Sequence, residues 1–570
     1  MEKGNFAVGQ YFLSKEKEQR EKGMNLIESE FENYGLEVVA WRNVDESLDL
    51  SAVSAKSIEK KPALRQAIVV PNEKISNLEE KVLKVAANII NKRGNLELDI
   101  SSQSSESIVY KGMVKPSQIG VLFKDLQDPD FTAVGTIMHS RFATNTSPQW
   151  KNAQPCTFFI AQNGELNSRK SNAREMKATE GTIEPDLSLS DSIQLDTDLV
   201  NEVLRGSSLP EALTLLSPPI MEENDQTFSE ELKSMIKYFS LKRTGYNGPA
   251  FIVSAHNGEY FAKLDNVGLR PSRYYITESN EGRRQFYAFS DDDAPLGKGQ
   301  KRILSGHIEP GSIIGVNKNY QFMSNIDILE NVYKESLQKV KELYGDQQLT
   351  FQSVYEKLVI DIDSIEEKTF NLKNDTDLTP TQVLASSFWD YESLEDIVKP
   401  MALSGGERVG AMGNDTSLLP ALSGKFEEVG QPLHISYFFH HLFSQVSSPP
   451  IDSIKEKKSF NLSTLLGSKT HGKKNFSISS PVLNIADLDK IKSNTLGIEF
   501  EELDLTFPVW GNSKQNLKQK IHSLCRSAEA FAKSKGGILI LSDRKTSSGK
   551  ILLLQLKNTW KALDLAKMYQ

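Results

Sequence analysis

The chain has 570 residues, 38% of them apolar and 25% charged, which is ordinary globular composition and long enough for several domains. Its 67 basic and 75 acidic side chains leave a net charge of −8, which argues against nucleic acid as main partner and against a polybasic membrane anchor. No apolar run approaches the roughly 20 residues of a membrane span, and two cysteines, Cys156 and Cys525, cannot build a disulfide framework or a four-thiolate metal site.

In chain order, residues 6–13 alternate and carry aromatics, which predicts a strand. Residues 15–34 predict an amphipathic helix, 35–43 and 64–71 strands, and 73–92 a second helix. Further apolar runs at 133–138, 157–161, 249–255 and 311–316 predict strands, with a helical block over 191–241 between them. This rhythm predicts an α+β layered domain over 1–323. Residues 324–400 read as a helical connector. A second globular unit, of α/β type, follows over 401–545, with a Ser/Pro/Lys-rich surface loop over 446–480. It closes on Ile538-Leu539-Ile540-Leu541, the pattern of a parallel strand buried on both faces, and then Ser542-Asp543-Arg544. Residues 546–570 form a tail of different character.

The residues that carry chemistry cluster between 139 and 191. His139 and Arg141 stand two apart at the end of the strand expected over 133–138, so they share a face. An arginine fixed there offers a planar fork to a carboxylate; the alternative is a solvated strand end. Asn163-Gly164 follows an apolar run. It is either a hairpin turn or an oxyanion hole, in which the Asn163 amide and the Gly164 N–H point at one developing anion. Asp191, after Ser190, is either part of a helix N-cap or the partner of a substrate ammonium. Arg141, Asp191 and the 163–164 pair together describe a site for a free α-amino acid with a side-chain carbonyl, and glutamine fits.

The runs HSRFATNT, AQNGELNSRKSN and DSIQLD closely resemble the class II glutamine amidotransferase domain of glutamate synthase large chains. The resemblance continues through YNGPAFIVSAHNGEYFAKLDNVGLRPSRYYIT, with Asp265, Gly268, Arg270, Pro271 and Arg273 at motif positions. It extends through KPMALSGGERVGAMGNDTSLLPALS, FSQVSSPPIDSIKE and GILILSDR, which are similar to the glutamate synthase central domain.

The resemblance implies an αββα Ntn-hydrolase-type glutaminase sandwich, incomplete at its N-terminus, followed by the central domain. It implies that Arg141 grips the glutamine carboxylate and Asp191 its amine, with Asn163 and Gly164 as oxyanion hole. It implies ammonia passed to a flavin site that makes glutamate from 2-oxoglutarate. The partners are then glutamine, an FMN synthase domain or chain, and ferredoxin or a small NAD(P)H-dependent subunit as electron donor. The setting is cytoplasmic, or plastid stroma in an alga or plant. FMN and an iron–sulfur cluster belong to the full-length family enzyme; no cofactor or metal is expected in this chain, nor a nucleic-acid or membrane partner.

The chain departs from the family pattern in several places. The nucleophilic N-terminal Cys block is missing, and Cys156 and Cys525 read as core residues. Gln162 stands for a usual His and Ser290-Asp291 for a usual Ser-Glu, and the text after Arg544 leaves the pattern, as a truncation or frameshift would produce. The expectation is therefore a fragment inactive alone. The competing expectation is a non-catalytic module that binds glutamine. Gly413-Asn414-Asp415-Thr416 is expected as a turn and Arg544 as an ion-pair partner.

Overall fold

The structure is a computed structural model. It describes residues 5–51, 53–142, 148–179, 181–221, 226–290, 296–365, 377–386, 391, 394–404, 463–467, 474–493, 497–508, 510–534 and 537–552. They fall into two compact units that divide between Tyr355 and Glu356.

The first unit opens with β1 (Ala7–Leu13), α1 (Lys17–Glu32), β2 (Leu36–Asn43), α2 (Ala55–Glu59), β3 (Ala63–Pro71), α3 (Leu78–Lys92), β4 (Leu98–Ser104) and α4 (Pro116–Leu122). The strands form an antiparallel sheet in the order β2-β3-β1-β4. Alternation sends Tyr11, Leu13, Ala67 and Val69 to one face, where they meet Ile27 and Phe31 of α1 and Val82, Val85 and Ile89 of α3. Phe12 and Leu64 point the other way, onto Phe123 and Trp150. Asn77 caps α3 by accepting the Glu80 N–H (3.2 Å).

β4 has no sequence forecast because its text, LDISSQS, is polar. Only Leu98 and Ile100 join the apolar core, and the second half of the strand is buried in hydrogen bonds instead. Tyr11 donates its hydroxyl to Gln103 (2.7 Å), Gln103 donates to the Val82 carbonyl (2.8 Å), and Ser104 donates to Glu79 (2.8 Å).

The second half of this unit runs β5 (Ile160–Gly164), α5 (Arg169–Ala178), α6 (Asp191–Leu204), α7 (Leu209–Leu216), α8 (Glu230–Lys242), β6 (Ala250–His256), β7 (Glu259–Leu264), β8 (Arg273–Ser279), β9 (Arg284–Phe289), β10 (Gln300–Gly306), β11 (Ile313–Val316), β12 (Phe322–Met323), α9 (Asn325–Tyr344) and the start of α10 (Phe351–Leu358), within which the division falls. A five-stranded antiparallel sheet has the order β12-β11-β7-β6-β5, which leaves β5 on its edge. A three-stranded sheet, β10-β8-β9, contributes Tyr274 and Phe286 to a core shared with Phe251, Leu264 and Ile314. α6 lies against β5 and α9 against β11. The architecture is α+β.

Three sequence expectations need correction here. Residues 133–138 form no strand: Val134 is 64% and Met138 83% exposed, and no strand pairs with them among the described residues. The strand expected over 157–161 begins at Ile160, because the Phe158 and Phe159 N–H groups donate to the Asp196 carboxylate (2.8 Å each) and not to a neighbouring strand. Asn163-Gly164 ends that strand and leads toward α5, so it is not a hairpin turn.

In the second unit β13 (Val359–Asp361) runs parallel to β15 (Asn475–Ile478), which pairs antiparallel with β14 (Thr464–Gly467). The expected connector over 324–400 is thus divided: α9 packs within the first unit, while β13 is a strand of the second. The loop expected over 446–480 contains β14 and β15, held by Phe476 and Ile478 in the core. β16 (Phe500–Asp504) runs parallel to β18 (Ile538–Ser542), as the Ile-Leu-Ile-Leu run predicts. Leu541 is 42% exposed, however, so the strand is not buried on both faces. β17 (Thr506–Pro508) pairs with β19 (Lys550–Leu552), and the helix Ser513–Ser534 seals Phe507 with Leu517, Ile521 and Leu524. Gly413–Thr416 lies outside the described residues. Arg544 forms no ion pair among the described residues.

Candidate active site

The site is built on the free edge of β5. Ala255 donates to the Phe159 carbonyl (3.0 Å) and Glu165 to the Pro249 carbonyl (2.8 Å), so the odd-numbered residues of this segment carry the ladder to β6. In an antiparallel pair the intervening residues turn their N–H and C=O outward. Ile160, Gln162 and Gly164 therefore present these groups to the sheet edge, where they need other partners.

Side chains meet most of that need. The Asp196 carboxylate, on α6, accepts from Phe158, Phe159 and Ile160 (3.2 Å for the last). Gln154 accepts the Gln162 N–H (2.7 Å) and donates to the Gln162 carbonyl (2.9 Å). Asp191 accepts the Leu166 N–H (2.8 Å) and the Ser192 N–H (2.8 Å). Between Gln162 and Leu166, the Gly164 N–H has no acceptor among the described residues. An open N–H two residues from one held by a carboxylate lies within about 7 Å of it along the chain. A small ligand with an oxygen at one end and a cation at the other fits that spacing.

Glycine is required at 164. Its φ is +156°, and a Cβ there would stand 1.8 Å from the Pro249 carbonyl oxygen. Gly248 serves the same close approach from the other side, with φ +133° and a virtual Cβ 2.1 Å from the Glu165 carbonyl oxygen. Asn163, on the opposite face of the strand, donates through Nδ2 to Ser290 Oγ (2.8 Å). One hydrogen of that amide is thus engaged, and the second has no partner among the described residues.

Asp191 is the first residue of α6, and Ser190 is the cap, accepting the Ile193 N–H (3.2 Å). The cap is thus Ser190, which leaves the carboxylate of its neighbour Asp191 outside the cap itself. Burial pushes the Asp191 carboxyl above the usual range, opposed by the Leu166 and Ser192 N–H groups. Fully buried Asp196 is pushed up to about 6 by desolvation, against its three backbone donors.

Arg141 is exposed, and its guanidinium makes no hydrogen bond or ion pair with Asn163, Gly164 or Asp191. Its backbone is ordered locally by His139, whose Nδ1 lies 2.7 Å from the Arg141 carbonyl and 3.1 Å from its N–H. The structure thus brings Gly164 and Asp191 to one edge of β5, sets the Asn163 side chain on the other face of the strand beside Ser290, and leaves Arg141 without direct contact to any of the three. Cys156 is 1% exposed, and burial pushes its thiol up, which suits a core residue and not a nucleophile. Cys525 lies on the long helix of the second unit. Gln154, Ser192 and Asp196 were not singled out by sequence reasoning. DSIQLD holds Asp196 five residues after Asp191 but does not say that it serves backbone groups, and nothing in the text marks Gln154. Asp265, a motif residue, accepts the Ala250, Val267, Leu269 and Arg270 N–H groups and so fixes the turn after β7.

Residues 1–336 match the family described as glutamine amidotransferases class-II. The chain belongs to this family. Residues 382–558 match the glutamate synthase central domain. The ferredoxin-dependent glutamate synthase of Cyanidium caldarium is 29% identical over 575 residues, covering 94% of this chain and 35% of that protein. The glutamate synthase [NADPH] large chain of Azospirillum brasilense is 30% identical over 576 residues, with the same coverages. The glutamate synthase [NADH] of Saccharomyces cerevisiae is 26% identical over 601 residues, covering 97% of this chain and 27% of that protein. The chain therefore spans about a third of the length of the relatives it matches. Among solved structures, the glutamine phosphoribosylpyrophosphate amidotransferase of B. subtilis superposes over 56% of this chain and 49% of that one, at 14% identity and a TM-score of 0.20, too loosely to compare site details. For this class II amidotransferase, the open N–H of Gly164 and the carboxylate of Asp191 are the groups to which a function must be assigned. No helix among the described residues is long and apolar enough to cross a membrane.

Proposed function

We propose that this chain is the glutamine-binding part of a glutamate synthase large chain, an assembly that assimilates ammonia by releasing it from glutamine and using it to make glutamate from 2-oxoglutarate. The observation that carries the reading is the edge of β5, where one backbone N–H has no acceptor among the described residues and a half-buried carboxylate stands nearby. In this reading the Asp191 carboxylate receives the glutamine ammonium, Arg141 approaches its α-carboxylate, and the Gly164 N–H and the Asn163 amide donate to the side-chain oxygen. Those donors are fixed before the ligand arrives, so negative charge that grows on the oxygen needs no reorganisation.

The thiol that attacks the amide is neither cysteine of this sequence. Cys156 is sealed in the core with its thiol pushed up, and Cys525 belongs to the second unit. Two cysteines also do not supply the three or four thiolates of an iron–sulfur cluster, and among the described residues no cluster of ligands suits a metal. We place that centre and the FMN outside these residues and derive no step through them. The electron donor, ferredoxin or an NAD(P)H-dependent subunit, and a cytoplasmic or plastid-stromal setting belong to the same proposal.

A second reading, a module that holds glutamine without cleaving it, is favoured by the lack of a nucleophilic thiol at this edge. Calorimetry with L-glutamine, combined with an assay for released glutamate, separates the two. Binding with no hydrolysis by the chain alone, and hydrolysis on addition of a polypeptide bearing an N-terminal cysteine, is the expected result for the synthase reading. No heat at millimolar glutamine refutes both.

A further inference from the structure

Gln154 does something that a core residue does not need to do. It comes from a loop, is 6% exposed, and directs both halves of its amide to a single residue: Oε1 accepts the Gln162 N–H (2.7 Å) and Nε2 donates to the Gln162 carbonyl (2.9 Å). That is the two-bond exchange that one residue of an adjacent strand would make. A true neighbouring strand would continue the ladder and, two residues on, occupy the N–H of Gly164. A side chain stops after one residue. The ladder is therefore closed at Gln162 and open at Gly164.

The same amide reaches the ammonium end. Gln154 Nε2 lies 3.4 Å from Ser192 Oγ, and the Ser192 hydroxyl donates to Gln162 Oε1 (2.6 Å). The Ser192 N–H donates to Asp191 (2.8 Å). The other half of the Gln162 amide, Nε2, is buried without a partner and stands 2.7 Å from the place a Cβ on Gly164 would take. A second donor without a partner thus lies beside the open N–H, in a place where buried polar groups are otherwise paired.

We propose that Gln154 is a positioning residue for side-chain recognition: standing in for one residue of a missing strand, it holds β5 so that the Gly164 N–H stays open toward the ligand's side-chain oxygen while Asp191 takes the ammonium. The inference rests on the glutamine reading of Gly164 and Asp191. It separates the two ends of the ligand, because Gln154 fixes the edge strand at Gln162, whereas the Asp191 carboxylate is held by the backbone N–H groups of Leu166 and Ser192, neither of which bonds Gln154.

The test compares two ligands on the full chain by calorimetry: L-glutamine, and L-norvaline, which keeps the α-amino acid end and lacks the side-chain oxygen. Gln154→Met keeps the length of the side chain and removes both strand-like bonds. It is expected to weaken glutamine by about tenfold, the order of one lost hydrogen bond, and to leave norvaline within about twofold. Gln154→Glu keeps the acceptor for Gln162 and serves if the methionine variant unfolds; it is expected to weaken glutamine selectively as well. Asp191→Asn is expected to weaken both ligands. If the Gln154 variants weaken both ligands equally, or neither, Gln154 is only a packing residue and the proposal is overturned. If Asp191→Asn changes neither ligand, or the native chain binds neither, the site reading itself fails and the proposal with it.

Discussion

Replacing Gly164 by alanine tests the geometry of the bend most sharply. The added Cβ would meet the Pro249 carbonyl oxygen at 1.8 Å, whereas ordinary contact begins at 3.4 Å. The obstacle is backbone and cannot rotate away, so the bend must open by about 1.6 Å. That breaks the Glu165 N–H to Pro249 bond, now 2.8 Å, a loss of about 1 kcal/mol. Holding a non-glycine residue near φ +156° adds about 1–3 kcal/mol. The variant should therefore lose about 2–4 kcal/mol and melt about 5 °C lower or more, and its affinity for glutamine should fall because the open N–H moves with the bend. Differential scanning calorimetry and glutamine titration read both effects. A melting temperature within about 1 °C of the native chain, with unchanged affinity, refutes the close approach at Pro249 and the role given to the Gly164 N–H.

Four further outcomes follow from the same description. Glutamine affinity should be flat near neutral pH and fall on acidification, beginning at a higher pH than an exposed carboxylate would give, because burial raises the Asp191 carboxyl and only its ionised form attracts the ammonium; titrations from pH 8 to pH 4.5 read this, and a flat profile contradicts it. Asp196 is protonated below about 6 in the folded chain but only near 3.8 when unfolded, so its contribution to stability weakens as pH rises from about 4 to about 6; Asp196→Asn should flatten that slope while losing about 2 kcal/mol of backbone hydrogen bonding at neutral pH, measured by urea midpoints. Arg243 is buried with Asp198, Glu202 and Glu175 as partners, so Arg243→Met strands buried carboxylates and should cost about 3–5 kcal/mol, whereas a shift under about 0.5 kcal/mol would show the network to be dispensable. A thiol reagent at pH 8 should leave Cys156 unmodified in the folded chain and modify it after denaturation, because burial both blocks access and raises its thiol; rapid native modification of Cys156 would place it at the surface.

How much of this was legible in the text depended on whether apolar burial or polar pairing holds each element. β1, β2, β3 and α1 announce themselves because Tyr11, Leu13, Val69, Ile27 and Phe31 recur at the period of their element and all point into one core. β4 does not, since Gln103 and Ser104 are buried by hydrogen bonds that only the folded neighbours supply. The apolar run at 133–138 shows the converse: the pattern suits a strand, yet no described strand pairs with it. At the site, Asn163, Gly164 and Asp191 stand out as an Asn-Gly pair after an apolar run and an aspartate opening a helix, although each pattern also has a plain structural use as turn or cap. Gln154 and Asp196 act by completing backbone groups of β5, which depends on β5 being an edge strand and therefore on topology. The text groups Arg141 with Asp191 by residue type alone, and no hydrogen bond or ion pair joins the two among the described residues.

The most direct measurement follows the Gly164 amide itself. In the 15N-labelled chain, L-glutamine should move the Gly164 amide proton downfield as the ligand oxygen accepts it, and Asp191→Asn should abolish the shift at the same ligand concentration. A Gly164 resonance that stays put while calorimetry shows glutamine bound, or one that moves equally well without the Asp191 carboxylate, would contradict the claim that these two groups hold opposite ends of one amino acid.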